Sequence, residues 1–315
     1  GDASNRRYFR VNKANDHAVL MDAPPEKGED VGPFVQIAKV LRAVPLSAPR
    51  IMAEDRDAGF LLLEDLGDDL FAVVLAKDPA QEEELYTAAT DALIKLHDIK
   101  PPPGLAPYDA PTMTDLASLA FDWYANGITG EDHAGPKASF LATFSAELAQ
   151  IKNLTEVLIQ RDYHAENLLW LPKRDGVARV GLLDFQDAMS GHRSYDLVSL
   201  LQDARRDVSP QIEAQMIEHY IAATGCDPRS FRQTYALMGL QRNLRIIGVF
   251  ARLCMRDGKP HYIDLIPRVW AHMRRDFEMA NLQALEPVLM NTLPPPNNQA
   301  LEGLKAKCGM IPQPS

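Results

Sequence analysis

Gln160-Arg-Asp162-Tyr-His-Ala-Glu-Asn167-Leu-Leu-Trp-Leu-Pro172-Lys-Arg-Asp-Gly176-Val-Ala-Arg-Val-Gly-Leu-Leu-Asp184-Phe-Gln-Asp187 is the stretch that decides the fold. Leu168–Leu171 reads as one strand, Pro172–Gly176 as a turn, and Val177–Leu183 as the return strand. A hairpin brings its outer ends together, so Asn167 and Asp184 are expected side by side. Asp162, on the loop entering the first strand, belongs to the same end. Two carboxylates and an amide oxygen therefore converge where strand pairing stops. Hard oxygen donors of this kind suit Mg²⁺, which keeps waters and takes phosphate oxygens as further ligands.

Upstream, Arg7–Val11 and His17–Met21 read as an antiparallel hairpin. A helix is expected over about 31–43, with Phe34, Ile37, Ala38 and Leu41 on one face. Arg50–Glu54 and Gly59–Glu64 add two strands. Beyond Asp65 the pattern turns helical: 82–97, then about 112–126, 136–151, 194–206, 209–224, 231–257 and 261–280. Ser209-Pro210 is a helix start, Gly225 and Gly258 are stops, and Pro294–Pro296 marks a loop before a short tail. The expected organisation is α+β and bilobal. A small N-terminal antiparallel sheet with one helix (1–65) precedes a larger, mainly helical lobe (66–315) that contains the hairpin. Gly1-Asp2-Ala3-Ser4 reads as a turn, so the first strand of the fold is expected upstream of it.

The chain has 315 residues and a net charge of −10, with 33 basic and 43 acidic side chains. A chain this acidic lacks the basic face that nucleic acid and anionic lipid require. Cys226, Cys254 and Cys308 are too scattered for a zinc site or a disulfide framework, and a reducing cytoplasm is the expected compartment. No apolar run approaches the length of a membrane span. There is no G-x-S-x-G or H-E-x-x-H motif, and His133, His192, His219, His261 and His272 have no metal-ligand spacing.

Asp162 and Asn167, five residues apart, match the D-x-x-x-x-N catalytic loop of kinases, and Asp184-Phe185 lies where their metal-binding Asp-Phe pair would lie. The chain resembles the aminoglycoside phosphotransferase and choline kinase superfamily, with its protein-kinase-like fold, over nearly its whole length. Gly1-Asp-Ala-Ser-Asn-Arg-Arg-Tyr-Phe-Arg10 resembles the phosphate-covering loop, which implies nucleotide contacts from Gly1, Ser4 and Arg7. Leu61-Leu-Leu-Glu-Asp-Leu-Gly67 resembles the hinge, which implies adenine contacts from backbone groups of Glu64 and Leu66. Tyr195-Asp196-Leu197 resembles the motif that braces the catalytic loop. Met21-Asp-Ala-Pro-Pro25, Arg161–Pro172 and Asp203-Ala-Arg-Arg-Asp207 resemble one bacterial subgroup, the anomeric N-acetylmuramate and N-acetylglucosamine kinases of peptidoglycan recycling. The resemblance implies ATP and Mg²⁺ as cofactors and Asp162 as the base or hydroxyl-orienting group. Asn167 and Asp184 become metal ligands, with Asp187 and Asp196 in support. A monomer acting on a small amino sugar is the expected form.

One departure stands out. Kinases place a Lys on the third strand, paired with a helix Glu; here the aligned positions hold Met21 and Gln36. Arg7, Arg10 or Lys27 is expected to contact phosphate instead, or else Arg7 and Arg10 are simply solvated. The rival reading is a protein that binds nucleotide without using it. For the sugar, a lactyl carboxylate would suit Arg, and the candidates are Arg205, Arg206, Arg242 and Arg245, with Asn243 beside them. Their alternative is a polar stripe facing solvent. His164 and Glu166 flank the catalytic loop as further sugar contacts. Trp123 and Tyr124 either stack on the sugar or belong to the core. An aminoglycoside or choline-like acceptor is the other kinase reading; those cations would call for an acidic or aromatic site.

Overall fold

The structure is a computed structural model and describes residues 5–13, 16–280, 282 and 285–312. Strands β1 (Arg7–Lys13) and β2 (Asp16–Asp22) open the chain, followed by a 3-10 turn at Pro25–Lys27 and helix α1 (Gly32–Arg42). Strands β3 (Ile51–Asp55) and β4 (Phe60–Glu64) complete a sheet of order β1-β2-β4-β3 with antiparallel neighbours. Next come α2 (Phe71–Lys77), α3 (Glu82–Leu96), α4 (Ala110–Ala117), a π-helical turn at Ala120–Ala125, α5 (Asn126–Thr129) and α6 (Ala134–Ala149). Four short strands follow: β5 (Val157–Ile159), β6 (Leu168–Trp170), β7 (Val180–Leu182) and β8 (Met189–Gly191). Helices α7 (Tyr195–Leu201), α8 (Pro210–Thr224), α9 (Pro228–Met255), α10 (Ile266–Ala280), α11 (Glu286–Thr292) and α12 (Asn298–Lys305) end the chain. No helix among the described residues is long and apolar enough to cross a membrane.

These elements form two compact units. The first takes the chain up to Ala106, then Val157–Leu200 and Pro210–Thr224; the second takes Pro107–Glu156, Leu201–Ser209 and the chain from Gly225 onward.

In the first unit, α1 begins at Gly32-Pro33 and buries Phe34, Val35, Ile37, Ala38 and Leu41. The larger of these, Phe34, Val35, Ile37 and Leu41, contribute about 1.5–3 kcal/mol each. The β3–β4 turn closes at Gly59, whose φ is +77°. A Cβ there would lie 2.1 Å from the Ala23 carbonyl oxygen, so only glycine fits. Three acidic residues, Glu82–Glu84, start α3, where negative charge favours the helix N-terminus. The sheet is tied to the β6–β7 hairpin by backbone and side chain. Leu182 N–H donates to the Ser47 carbonyl (2.9 Å), the Ser47 hydroxyl to the Ala178 carbonyl (2.6 Å), and Arg174 to Glu64 (2.8 Å).

In the second unit, α9 runs 28 residues from an Asp227 cap on Ser230 N–H. It is buried nearly all round, so its polar residues need partners. Gln241 takes the Tyr108 hydroxyl (3.1 Å) and donates to the Met113 carbonyl (3.0 Å). Asn243 donates to Gln202 (2.8 Å) and Asp276 (2.9 Å), and Gln202 also donates to Asp276 (2.8 Å). Gly248 lets α9 touch the backbone of Leu119, where a Cβ would meet the carbonyl carbon at 2.2 Å.

Several boundaries differ from the sequence expectation. The return strand of the hairpin starts only at Val180, because Gly176–Arg179 is a 3-10 turn. The helix expected over 112–126 divides into α4 and the π turn. The one expected over 194–206 stops at Leu201, and Pro260–Leu265 is a 3-10 segment before α10. Helices α2, α11 and α12 and strands β5 and β8 were not foreseen. The three-residue strands are too short to show alternation, and α12 hides behind a proline run although Asn297 caps it on Ala300 N–H.

Candidate active site

The hairpin ends meet as expected: Leu183 N–H donates to the Asn167 carbonyl (3.0 Å), which sets Asn167 beside Asp184. The Asn167 amide nitrogen donates to the Asp162 carbonyl (3.0 Å) and lies 3.4 Å from the His164 imidazole. Pinning the nitrogen to the loop orients the amide oxygen, the atom a metal would use. Asp184 is exposed and sits in the left-handed region, at φ 55°. Its carboxylate accepts from Gln186 at 2.8 Å. Phe185, fully buried, packs on Phe34 of α1 with ring centroids 4.7 Å apart. The Asp184 backbone is thus fixed from below while its carboxylate faces out.

The entering loop is held from the other side. Asp196, fully buried at the start of α7, accepts Gln160 N–H on one oxygen (2.6 Å) and Arg161 N–H on the other (2.9 Å). Arg161 is left-handed, with φ 72°. A non-glycine residue there costs about 1 kcal/mol or more. The Arg161 carbonyl accepts the Ser199 hydroxyl (3.2 Å), and its guanidinium reaches the Asp187 carbonyl (3.4 Å). The Tyr163 hydroxyl donates to the Ala89 carbonyl of α3 (2.9 Å), and burial pushes that phenol well above its usual range. Asp162 therefore stands on a loop clamped by α3, α7 and the hairpin, all within the first unit.

His164 is buried and Glu166 exposed on the same loop. The donors Asp162, Asn167 and Asp184 are hard oxygens, and their placement fits Mg²⁺. Among the described residues no group of three or more His, Cys, Asp or Glu is arranged to hold a metal.

The basic residues of β1 behave differently from the expectation. Arg7 pairs with Asp22 (2.5 Å). Arg10 spans Asp65 (2.5 Å) and Asp68 (2.8 Å) just after β4, and its guanidinium hydrogen bonds hold both carboxyls below their usual range. Both side chains stay exposed while paired, at 60% and 44%. Glu64 N–H already donates to the Arg50 carbonyl (2.8 Å), so that donor serves the β3–β4 ladder. Leu66 is half-buried. Gly1 and Ser4 lie outside the described residues.

Arg205, Arg242, Asn243 and Arg245 belong to the second unit. Arg242 and Asn243 are buried, which overturns the solvent-facing stripe for these two residues: the Asn243 amide nitrogen is taken up by Gln202 and Asp276, while Arg242 Nε and the Asn243 amide oxygen have no hydrogen-bond partner among the described residues. Arg242 donates to the Gln202 carbonyl (3.4 Å). Arg245 and Arg205 are half-buried, with Arg205 6.0 Å over the Tyr262 ring. Tyr124 is core: fully buried, it donates to the Pro294 carbonyl (2.7 Å). A cation that sequence reading missed is Arg6, paired with Glu29; the two are 23 positions apart, and alternation along β1 gave no sign of it.

Comparison with known proteins gives the family and the fold. A curated protein of Caulobacter vibrioides named N-acetylmuramate/N-acetylglucosamine kinase is 40% identical over 310 residues, covering 87% of this chain and 85% of its own length. A protein of the same name from Pseudomonas aeruginosa is 36% identical over 280 residues, covering 86% of this chain and 80% of its own. Among solved structures, an ADP-bound aminoglycoside phosphotransferase superposes with a TM-score of 0.56 at 15% identity, covering 88% of this chain and 94% of its own. That likeness carries the fold. The model of the family described as phosphotransferase enzymes matches residues 1–233, and the chain belongs to that family.

Proposed function

We propose that the protein is an ATP- and Mg²⁺-dependent kinase that phosphorylates the anomeric 1-hydroxyl of N-acetylmuramate and N-acetylglucosamine, serving peptidoglycan recycling in the cytoplasm. The observation that carries the reading is the Caulobacter relative, 40% identical over 310 residues and named for these two sugars. The clamped arrangement of Asp162, Asn167 and Asp184 supports it chemically.

In this reading residues 1–65 form the nucleotide lobe and 66–315 the catalytic and substrate lobe. Asp162 accepts or orients the sugar hydroxyl proton; an anomeric hydroxyl is more acidic than an ordinary alcohol, so a modest base suffices. Phosphoryl transfer passes through a loose transition state, so positioning contributes most of what Asp162 does. Asn167 and Asp184 hold Mg²⁺, which when bound offsets charge on the phosphate oxygens. Asp196 keeps the loop in register through Gln160 and Arg161, and Asp187 supports the same turn through its carbonyl. Glu64 and Leu66 meet the adenine, with Gly1, Ser4 and Arg7 on the phosphate side. His164 and Glu166 bind sugar hydroxyls. The protein works as a monomer.

The test is an acceptor panel. ATP turnover is measured with N-acetylmuramate, N-acetylglucosamine, an aminoglycoside and choline. Turnover confined to the two amino sugars is expected. Turnover with the cationic acceptors alone overturns the substrate, and nucleotide binding without turnover on any acceptor overturns the kinase.

A further inference from the structure

The kinase pattern asks for a cation at residue 21, and that residue is a fully buried methionine, paired across the sheet with Tyr8 and Leu61. Gln36, its expected partner on α1, is exposed. The charge comes from the residues just before β1. Arg6 Nε lies 2.9 Å from Glu29, and both side chains are nearly enclosed, at 11% and 10% exposed. The other Glu29 oxygen accepts the Asn5 backbone N–H (2.7 Å), and the Asn5 amide donates to the Lys27 carbonyl (3.4 Å). Glu29 is itself set by a tight turn: Gly28 is left-handed at φ 79°, and Glu29 N–H returns to the Pro24 carbonyl (3.4 Å).

Glu29 lies three residues before α1, whose Phe34 packs on Phe185, the neighbour of Asp184. The Tyr8 phenol is raised above its ordinary range, chiefly by burial. Arg6 opposes that rise, and Asp184 and Glu29 add to it. A nearly enclosed ion pair is weak evidence for stability, since desolvation offsets much of the attraction. Its placement has a better explanation in binding. Arg is always charged, and its planar guanidinium carries donors in a geometry that matches phosphate.

We propose that Arg6, held in place by Glu29, is the cation that contacts the nucleotide phosphates in this chain, doing the work of the strand lysine that Met21 replaces. The proposal rests on the kinase reading above. Arg6 touches the nucleotide; Glu29 is a positioning residue acting through it.

The experiment is calorimetric titration of the full chain with Mg-ADP and, separately, with adenosine. The proteins are wild type, Arg6→Ala, Arg6→Lys, Glu29→Gln and, as a control on an exposed turn, Arg56→Ala. Loss of a charge-assisted phosphate contact is expected to weaken ADP about tenfold or more in Arg6→Ala, with adenosine unchanged. Arg6→Lys should recover part of that loss, and Glu29→Gln should fall between. In steady state the KM for ATP should rise while that for N-acetylmuramate holds. Wild-type ADP affinity in Arg6→Ala would overturn the proposal, as would equal loss of ADP and adenosine, which marks a merely structural residue. If the wild type binds nucleotide but phosphorylates no acceptor, the kinase reading fails, and the ADP-to-adenosine comparison still judges Arg6. A wild type that binds neither ligand overturns both.

Discussion

Asp196 receives the backbone N–H groups of Gln160 and Arg161, one on each carboxylate oxygen, at 2.6 and 2.9 Å. A buried charge is thereby satisfied by main chain, and the two residues immediately before Asp162 are fixed. Asp196→Asn keeps the volume but turns one acceptor into a donor that faces an N–H. Stability is expected to fall by about 1–3 kcal/mol. The turnover rate should fall about tenfold or more through misplacement of Asp162, with little change in KM for the sugar. Denaturant melts and steady-state kinetics check both. A variant as stable and as fast as wild type would show that the loop holds itself.

Asp162→Asn separates chemistry from binding. The Asp162 carbonyl, not its side chain, anchors Asn167, so the metal-side geometry should persist. Nucleotide affinity is expected to remain within about twofold, while turnover falls by about 10²–10⁴. Near wild-type turnover would remove Asp162 from its role.

How much of this was legible beforehand depends on distance along the chain. The hairpin was readable because Asn167 and Asp184 bracket one local apolar run, and Asp162 lies five residues from Asn167. Helix α3 appeared nearly residue for residue, since Leu85, Ala89, Ala92 and Leu96 keep helical spacing and all are buried. What pairs Arg7 with Asp22 and Arg10 with Asp65 is sheet register, which alternation alone does not give. Polar residues at 241–243 read as sugar contacts or a solvated stripe, because the partners of Asn243, Gln202 and Asp276, are 41 and 33 positions away. Arg6 was hidden for the same reason: Glu29 reaches it through a turn and not through any periodic pattern.

That buried polar network gives a test inside the second unit. Asn243→Ala removes two donors, one to Gln202 and one to Asp276. A buried carboxylate then has fewer donors, and a loss of about 1–3 kcal/mol is expected. A change within about 0.5 kcal/mol, the size of an ordinary surface substitution, would mean that other groups carry Asp276.

Gly59→Ala probes the β3–β4 turn. At φ +77° an alanine is strained, and its Cβ would strike the Ala23 carbonyl. A loss of about 2 kcal/mol or more is expected, read as a lower denaturation midpoint. An unchanged midpoint would show that the Ala23–Gly59 contact yields freely.

Acid should destabilise the fold. Burial, aided by Arg193, lowers the His192 pKa to about 4, and burial, with Arg275 and Arg242 nearby, lowers that of His272 to about 4. Ser194 N–H donates to His192 Nδ1 at 3.2 Å, a bond that only the neutral ring can accept. Unfolded, each ring titrates near 6.5. Between about 6.5 and 4 the unfolded chain therefore binds more protons, and stability falls as pH falls. Asp65, Asp68 and Asp207, held below their usual values by Arg10 and Arg268, act in the same direction at lower pH. Urea midpoints at pH 7, 6 and 5 should decline steadily; a flat or rising series would contradict the neutral, buried histidines.

The most direct measurement is phosphorus NMR of the protein with Mg-ATP and N-acetylmuramate, with N-acetylglucosamine in a parallel tube. A new resonance coupled to the anomeric proton in both tubes is the expected result. ATP left intact in both tubes, or consumed without that coupled signal, would contradict the assignment of an anomeric sugar kinase.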